Sequence, residues 1–268
     1  MFDTSTSFDA IGFLSPELKD FIQECRRVHS IWFRLAEDIN RTCQLMLSEF
    51  KPGKEVVVQH LFAILFHVRT LSNFQGTILL AEGGMTVEAR TLARCMYENV
   101  FCVATLRKEP DKFISEMEEG EQASTKSKAR WLLQEPARLD FSGPNAADKL
   151  RERVEQMDKR WGKLSPLEWK RLAERGGVGD AYLYYKVLSG DAAHPSISAL
   201  DRYIIAGRGA TLAGVRFAPD IDSVQDSLNC ACNAAIMVGL AVAEVVGNDA
   251  RQRELTSHVK VYAKLNGM

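Results

Sequence analysis

Apolar residues recur at intervals of three and four along most of this chain, which is the spacing of helices with a buried face. Glycine and proline interrupt the pattern at its ends, for example at Pro52 and Gly53. The longest runs predict helices over residues 15–50, 55–81, 86–107, 220–246 and 250–265. The first of these begins with Ser15 and Pro16, a hydroxyl cap followed by the residue preferred at the first helical position.

The middle of the chain carries weaker and more polar helical patterns. These patterns predict helices over residues 111–134, 146–161, 165–174 and 179–193. Ser165 and Glu168 have the spacing of a capping box, which places a helix start between them. Residues 203–218 follow no helical pattern, because three glycines separate two short apolar runs there. That tract predicts a β-hairpin or an irregular loop.

The connections between these predicted helices are short, which favours antiparallel neighbours. The sequence therefore predicts an all-α fold, an antiparallel bundle of eight to ten helices with a small irregular or β-hairpin insertion near 203–218. Residues 1–14 are small and polar, so we expect a flexible N-terminal arm. Residues 15–268 are expected to form a single helical domain.

Composition narrows the classes of function. The chain has 34 basic and 35 acidic side chains, so we expect no extended surface for duplex DNA. Its most apolar stretches, 56–80 and 231–246, are interrupted by polar residues or too short to span a bilayer, so we expect no membrane partner. Six cysteines form no CxxC pair, and no export signal is recognised. We therefore expect reduced thiols, a cytoplasmic protein, no metal site and no cofactor.

A polar stripe crosses the most apolar of the predicted helices. Arg90, Arg94 and Glu98 recur at intervals of four and lie on one side of the helix over 86–107. Arg94 and Glu98 can pair along the helix, which leaves Arg90 to a carboxylate such as Asp191 or to a phosphate. Because an unpaired buried charge is very costly, each arginine needs such a partner. A structural ion-pair network and a ligand-facing arginine cluster are both compatible with the stripe.

A second polar cluster occupies residues 184–196, which hold two phenols, two hydroxyls, a carboxylate and an imidazole. His194 falls at a predicted helix end, where the helix dipole favours its protonated form and titration near neutrality. Asp191 lies three residues earlier and can orient one ring nitrogen, which leaves the other to act as an acid or a base. The alternative is a capping cluster in which His194 and Ser196 hydrogen-bond the ends of adjacent helices.

We expect the two clusters to meet in one partly enclosed polar pocket, because segment 184–196 is the densest supply of partners for the arginines. The expected members are Arg90, Arg94, Glu98, Tyr185, Ser189, Asp191 and His194. His194, Arg94 and Arg90 are the candidate catalytic residues. The other members, together with Ser196, are candidate binding residues.

The same motifs carry a resemblance to a known family. Arg90-x3-Arg94-x3-Glu98 on an apolar helix, followed by Tyr185-x3-Ser189-x4-His194, resembles a bacterial helical domain-of-unknown-function family, number five thousand six hundred and seventy-seven. The resemblance covers roughly residues 30–245. That family is in turn distantly similar to the HEPN superfamily of helical bundles, many of which are metal-independent endoribonucleases in toxin and phage-defence systems.

The resemblance implies an RNA-directed or defence-associated protein, either a metal-independent ribonuclease or an RNA- or nucleotide-binding relic of one. In the active version His194 assists attack by a ribose 2′-hydroxyl, while Arg90 or Arg94 stabilises the phosphate. HEPN nucleases carry an arginine four to six residues before the histidine, whereas this chain has Ser189 five residues before it. The alternative is a non-catalytic helical interaction or small-ligand module with a structural polar cluster, so enzymatic activity is left open.

The apolar helices also give an expectation for the oligomeric state. Residues 56–80 and 230–246 carry more hydrophobic surface than a slim bundle can hide. HEPN-like domains commonly form their site at a two-fold interface, so the resemblance also implies a dimer. We therefore expect a homodimer with isologous helix packing. The alternative is a monomer in which the polar helices 111–134 and 146–161 cover this surface.

Overall fold

The computed structural model describes residues 6–55, 57–134, 143, 145–161, 164–190, 196–207, 209, 211–215 and 217–268. Within these residues the chain forms twelve α-helices, a 3-10 turn at Gly12–Leu14 and one β-hairpin. The helices are α1 Phe8–Ile11, α2 Leu18–Val28, α3 Ser30–Glu49, α4 Val58–Glu82, α5 Thr86–Lys108, α6 Pro110–Gln134, α7 Ala146–Trp161, α8 Trp169–Gly176, α9 Ala181–Leu188, α10 Ile197–Asp201, α11 Val224–Val246 and α12 Asp249–Leu265. The predicted all-α bundle is confirmed.

Helices α5 and α11 lie at the centre of the bundle. Helix α5 packs against α4, α6, α8, α9 and α11, and α11 also packs against α3, α4 and α12. Because neighbours surround α5, its side chains are buried on most sides, and Tyr97 and Phe101 are fully enclosed. The charged pair α6 and α7 lies at the edge, where Lys126 and Arg130 form ion pairs with Asp158.

Helix α11 owes its central place to small residues. Alanines and Gly239 let its backbone approach its neighbours, and a Cβ at Gly239 would lie only 2.9 Å from the Leu255 side chain on α12. Helix α11 is long and apolar enough to cross a membrane by length and composition, yet 56% of its most apolar window is buried inside the bundle. This burial removes the surplus apolar surface that the sequence predicts for 230–246.

Two predicted helix boundaries are wrong. The helix predicted over 15–50 divides at His29, whose backbone leaves the helical range and whose Nε2 donates a 2.8 Å hydrogen bond to the Ile221 carbonyl. Helix α8 begins at Trp169, without a side-chain cap, so Ser165 does not open it as the capping-box spacing predicted. The break at His29 has no local signal, because its hydrogen-bond partner Ile221 is far along the chain.

The segment before Ser15 is attached to the bundle. Residues 8–14 form α1 and the 3-10 turn, and Ser15 Oγ donates a 2.5 Å hydrogen bond to the Thr6 carbonyl. The Phe13 ring makes an edge contact with Phe217 at a centroid distance of 5.5 Å. Residues 6–14 thus contact the chain just after the hairpin through the Phe13–Phe217 pair.

The predicted hairpin insertion is confirmed as strands β1 (Ile204–Ala206) and β2 (Leu212–Val215). The strands are antiparallel, with Ile204 opposite Val215 and a bulge between Ile205 and Ala206. We call α10, the hairpin and Phe217 together the hairpin segment. Its strands have no buried residue on either face.

All six cysteines are free thiols, as predicted. Four of them are buried: Cys25, Cys43, Cys102 and Cys232. Burial raises the pKa of the Cys25 thiol to about 11 and that of Cys43 and Cys102 to about 12, and it raises the pKa of Cys232 as well. These thiols therefore stay protonated and act as small apolar core residues.

Candidate functional site

Helix α9 packs against α5, and an aromatic contact sets its rotation. The Tyr184 ring stacks on Tyr97 of α5 with an interplanar angle of 3° and a centroid distance of 5.5 Å. Tyr97 is held in turn, since its hydroxyl donates to the Cys230 carbonyl and accepts from Asn233 on α11. With Tyr184 in this position, the next residue, Tyr185, is turned inward to α5, where it is buried.

Arg94 is the centre of the polar contacts between α5 and α9. Its Nε donates a 2.9 Å hydrogen bond to Ser189 Oγ, and an Nη2 hydrogen bond of 3.1 Å reaches the Tyr185 hydroxyl. The same Nη2 lies 3.1 Å from a carboxylate oxygen of Glu98, one turn along α5. The guanidinium carbon also lies 5.0 Å from the centre of the Tyr185 ring. We call these four residues the Arg94 cluster.

The Arg94 cluster is largely shielded from solvent. The Arg94 and Glu98 side chains are 18% and 19% exposed, so their ion pair is screened little by water. Burial raises the pKa of the Glu98 carboxyl, and the nearby guanidinium groups of Arg94 and Arg69 oppose that rise. Desolvation is the larger effect, so the net shift of this pKa is upward despite the two guanidinium groups.

Arg90 does not join this cluster. It lies one turn earlier on α5, and its Nη2 is 3.3 Å from Asp226 on α11. The guanidinium is buried, whereas the Asp226 side chain is 70% exposed. One acceptor for Arg90 is thus Asp226, which lies 136 residues away along the chain and gives no local signal. Asp191, the acceptor suggested from sequence, lies outside the described residues, so its pairing with Arg90 stays a prediction.

The end of α9 contains the rest of the motif. Ser189 and Gly190 continue the helix as a wider π-type turn, a feature often found at functional sites. Ser196 Oγ donates a 2.5 Å hydrogen bond to the Gly190 carbonyl and accepts one of 3.1 Å from the Ala199 amide, so Ser196 caps α10, as in the capping alternative. Its role as a binding residue stays a prediction. Asp191 and His194 lie outside the described residues, and their roles stay predictions.

A groove lies beside the cluster, between α9 and the start of α8. Its lining residues are Leu167, Glu168, Trp169, Lys170, Tyr182, Tyr185, Lys186, Ser189 and Gly190. We call it the α8–α9 groove. The Tyr182 ring stacks on Tyr185 at a centroid distance of 5.6 Å, and the Lys170 and Lys186 side chains are exposed. The groove therefore combines aromatic rings with two lysines and one carboxylate, that of Glu168.

Only Tyr185 and Ser189 among the groove residues were expected as site members from the sequence. The missed residues that bear a positive charge or a tyrosine ring are Lys170, Tyr182 and Lys186. A signal for two of them was present, because Tyr182, Tyr185, Lys186 and Ser189 follow the three-four spacing of one helix face. Lys170 belongs to another helix and has no such signal.

The chemistry of these groups suits an anion with an aromatic part better than a metal ion. Guanidinium, ammonium and hydroxyl groups donate hydrogen bonds to phosphate or carboxylate oxygens, and tyrosine rings stack with planar rings. Among the residues that the structure describes, no three histidine, cysteine, aspartate or glutamate side chains are grouped to hold a metal ion.

Fold and site together define a class, an all-α bundle whose central helix carries an arginine–glutamate pair docked on the tyrosine and serine hydroxyls of a neighbouring helix. The model of the Family of unknown function (DUF5677) matches residues 60–210, more than half of the chain, and the chain belongs to this family. The matched range includes both helices of the Arg94 cluster. Neither the curated proteins nor the solved structures include a significant match.

Proposed function

We propose that this protein binds RNA or a nucleotide in the α8–α9 groove. The observation that carries the proposal is the Arg94 guanidinium, held by the Tyr185 and Ser189 hydroxyls where these residues line the groove. Both hydroxyl oxygens accept from Arg94, so their O–H protons are left to donate to a neighbouring phosphate, and the guanidinium behind them adds positive potential.

The two kinds of group at the groove match the two parts of a nucleotide. Tyr182 is partly exposed and backed by Tyr185, which gives a rigid ring for base stacking, worth about 1–3 kcal/mol per base. Lys186 is exposed and can reach phosphate oxygens, and Lys170 is exposed in a 3.8 Å surface pair with Glu174 that a phosphate can replace. With a net charge of −1 for the whole chain, this local site suits a mononucleotide or a short single strand.

Binding without cleavage is the version that the contacts favour. In the HEPN-like ribonuclease version, His194 assists the 2′-hydroxyl while Arg90 or Arg94 stabilises the phosphate. Both guanidinium groups already face carboxylates, Arg90 at Asp226 and Arg94 at Glu98, so part of their charge is neutralised. A ribonuclease therefore requires one of these ion pairs to open when RNA binds.

A second candidate is a purely structural role for the Arg94 cluster. The observation in its favour is that Arg94 is bound on three sides by groups of this chain: Glu98, Tyr185 and Ser189. Such a network stabilises the contact between α5 and α9 without any ligand. It predicts that mutations of the cluster lower stability and that groove mutations have no binding phenotype.

The test is fluorescence anisotropy with a labelled eight-nucleotide single-stranded RNA, and competition by AMP to separate oligonucleotide from mononucleotide. We expect Lys186→Ala and Tyr182→Ala each to weaken binding at least fivefold, about 1 kcal/mol. Lys260 on α12 is another exposed lysine. The Lys260→Ala variant is therefore the matched control and should bind RNA like the wild type. If folded wild-type protein binds neither RNA nor AMP, the proposal fails and the structural role stands.

Cleavage is tested separately by incubating the protein with RNA in the presence of chelator. Cleavage that survives chelator and is lost in His194→Ala would identify the ribonuclease version. Binding without cleavage would identify the binding version.

A further inference from the structure

The hairpin segment leaves an unusual amount of apolar side chain in water. Seven large apolar residues within twenty-one positions are 40% to 81% exposed. They are Ile197, Leu200, Ile204, Ile205, Leu212, Val215 and Phe217. Single exposed apolar residues are ordinary, but a contiguous patch of several hundred Å² marks an interaction surface in most soluble proteins.

The hairpin is also a structure that rarely stands alone. A two-stranded hairpin is marginally stable in water unless a third strand or a helix covers one face. Neither β1 nor β2 has a buried face, and no third strand pairs with them among the described residues. The described strand residues include no charge and no proline, two of the features that keep an exposed edge from pairing, although the strands are short and carry one bulge.

We propose that a second copy of this chain covers the hairpin segment, so that the protein is a dimer with hairpin packed against hairpin. An antiparallel contact between identical strands is self-complementary about a two-fold axis. The described strand residues are uncharged, so directly opposed strand positions bring no like charges together, while Arg202, Arg208 and Arg216 lie beside the strands in the sequence. The several hundred Å² of exposed apolar surface per chain approaches the roughly 800 Å² per partner of a standard interface.

The segment lies close to the proposed nucleotide site. At its base, Tyr203 and Phe217 line a small cavity together with Met85 and Glu88 at the start of α5. Glu88 precedes Arg94 by six residues, or about 9 Å along the helix. Pairing through the hairpins would therefore bring the two α5 helices, and with them the two Arg94 clusters, near the two-fold axis.

Helix α4 offers a competing surface that the test must separate. Its outer side exposes a stripe at three-four spacing: Val58, Leu61, Leu65 and Val68, with Leu79 further along. Ser72 and Gln75 interrupt the stripe, and Gln75 is hydrogen-bonded to Asn40 of the same chain. A single helix face is also a normal surface for a stable helix, whereas the hairpin needs cover to be stable.

The test measures molar mass by light scattering over a hundredfold range of protein concentration, without RNA. We expect wild-type protein at twice the 30.0 kDa chain mass and Leu212→Glu/Val215→Glu at the chain mass. Leu65→Glu on α4 is the matched control, with 56% exposure in the wild type, and should remain a dimer. Circular dichroism must show unchanged helix content in all three proteins.

A charge exchange makes the test independent of folding defects. Leu212→Lys/Val215→Lys should also be a monomer, and mixing it with Leu212→Glu/Val215→Glu should restore the doubled mass. Three results would overturn the proposal: wild-type monomer at every concentration, dissociation by Leu65→Glu with the hairpin variants still dimeric, or a monomer that binds lipid vesicles through the hairpin. Because no RNA is present, these outcomes are independent of the proposed nucleotide binding.

Discussion

Helix α11 and the hairpin segment are both rich in apolar residues, but the structure places them in opposite environments. Helix α11 lies between α3, α4, α5 and α12, and most of its length is buried. The hairpin segment projects its apolar side chains into solvent on both faces of the hairpin. Apolar composition therefore does not tell which segment is buried in the core and which is exposed. The number of helices that pack around an apolar segment determines whether it is buried.

The largest effect should come from the core side of this comparison. Leu228 on α11 is fully buried, so Leu228→Ala leaves a cavity and should lower the free energy of unfolding by about 3 kcal/mol. Urea denaturation followed by circular dichroism measures this loss. A loss below about 1 kcal/mol would mean that α11 is not packed as described.

A smaller effect should separate the two arginines that connect α5 to its neighbours. Arg94→Met removes the counter-charge of the shielded Glu98 carboxylate and should cost about 2 kcal/mol. The Asp226 carboxylate is 70% exposed, so the loss of its ion pair with Arg90 in Arg90→Met should itself cost less than about 1 kcal/mol.

The double variant Arg94→Met/Glu98→Leu tests the cause of that difference. It should recover part of the stability lost in Arg94→Met, because no unpaired buried charge remains. Chemical denaturation of the three variants checks the order. Equal losses for Arg90→Met and Arg94→Met would contradict the assigned environments.

Two histidines within the bundle, His67 and His258, should make the free energy of unfolding depend on pH. Burial lowers the pKa of the His67 imidazole, whose Nε2 donates to the Cys43 carbonyl, and burial likewise lowers that of His258. Because each unfolded histidine takes up a proton near pH 6.5, its contribution to stability is present above that pH and is lost as pH falls toward the folded pKa.

Stability measured by denaturation should accordingly decline below about pH 6.5. His67→Gln keeps a hydrogen-bond donor but has no titrating ring, so its decline should be shallower than that of the wild type. An identical slope between pH 5 and 7 in both proteins would remove His67 as a cause.

The smallest effect on the single chain is expected in the hairpin segment. Leu212 is 65% exposed, so Leu212→Ala in dilute protein should change the free energy of unfolding by less than about 0.5 kcal/mol. In concentrated protein the same change should lower the melting temperature more, since the dimer contact contributes there. Melting curves at two concentrations check this, and a concentration-independent shift would speak against the dimer.

Local patterns predicted most of the fold. The bounds of α7 agree with the predicted 146–161, because polar residues and turn signals frame a thin apolar stripe there. The Arg94–Glu98 pair followed from four-residue spacing along one helix. Such features depend on neighbours in sequence, which is why they are readable without a structure.

The features that escaped prediction depend on contacts between distant residues. The break at His29 involves Ile221, and one acceptor for Arg90 is Asp226. The α8–α9 groove was missed because its lysines and rings come from two helices whose packing the sequence does not specify. The pairing of Arg94 with Ser189 was anticipated only as membership of a common pocket.

The four buried cysteines are natural probes of local unfolding. In the folded state their thiols are enclosed and protonated, so alkylating reagents should react with them slowly. They sit on four helices, with Cys25 in α2, Cys43 in α3, Cys102 in α5 and Cys232 in α11. Mass spectrometry of timed alkylation would therefore report which part of the bundle opens first and which opens only on global unfolding.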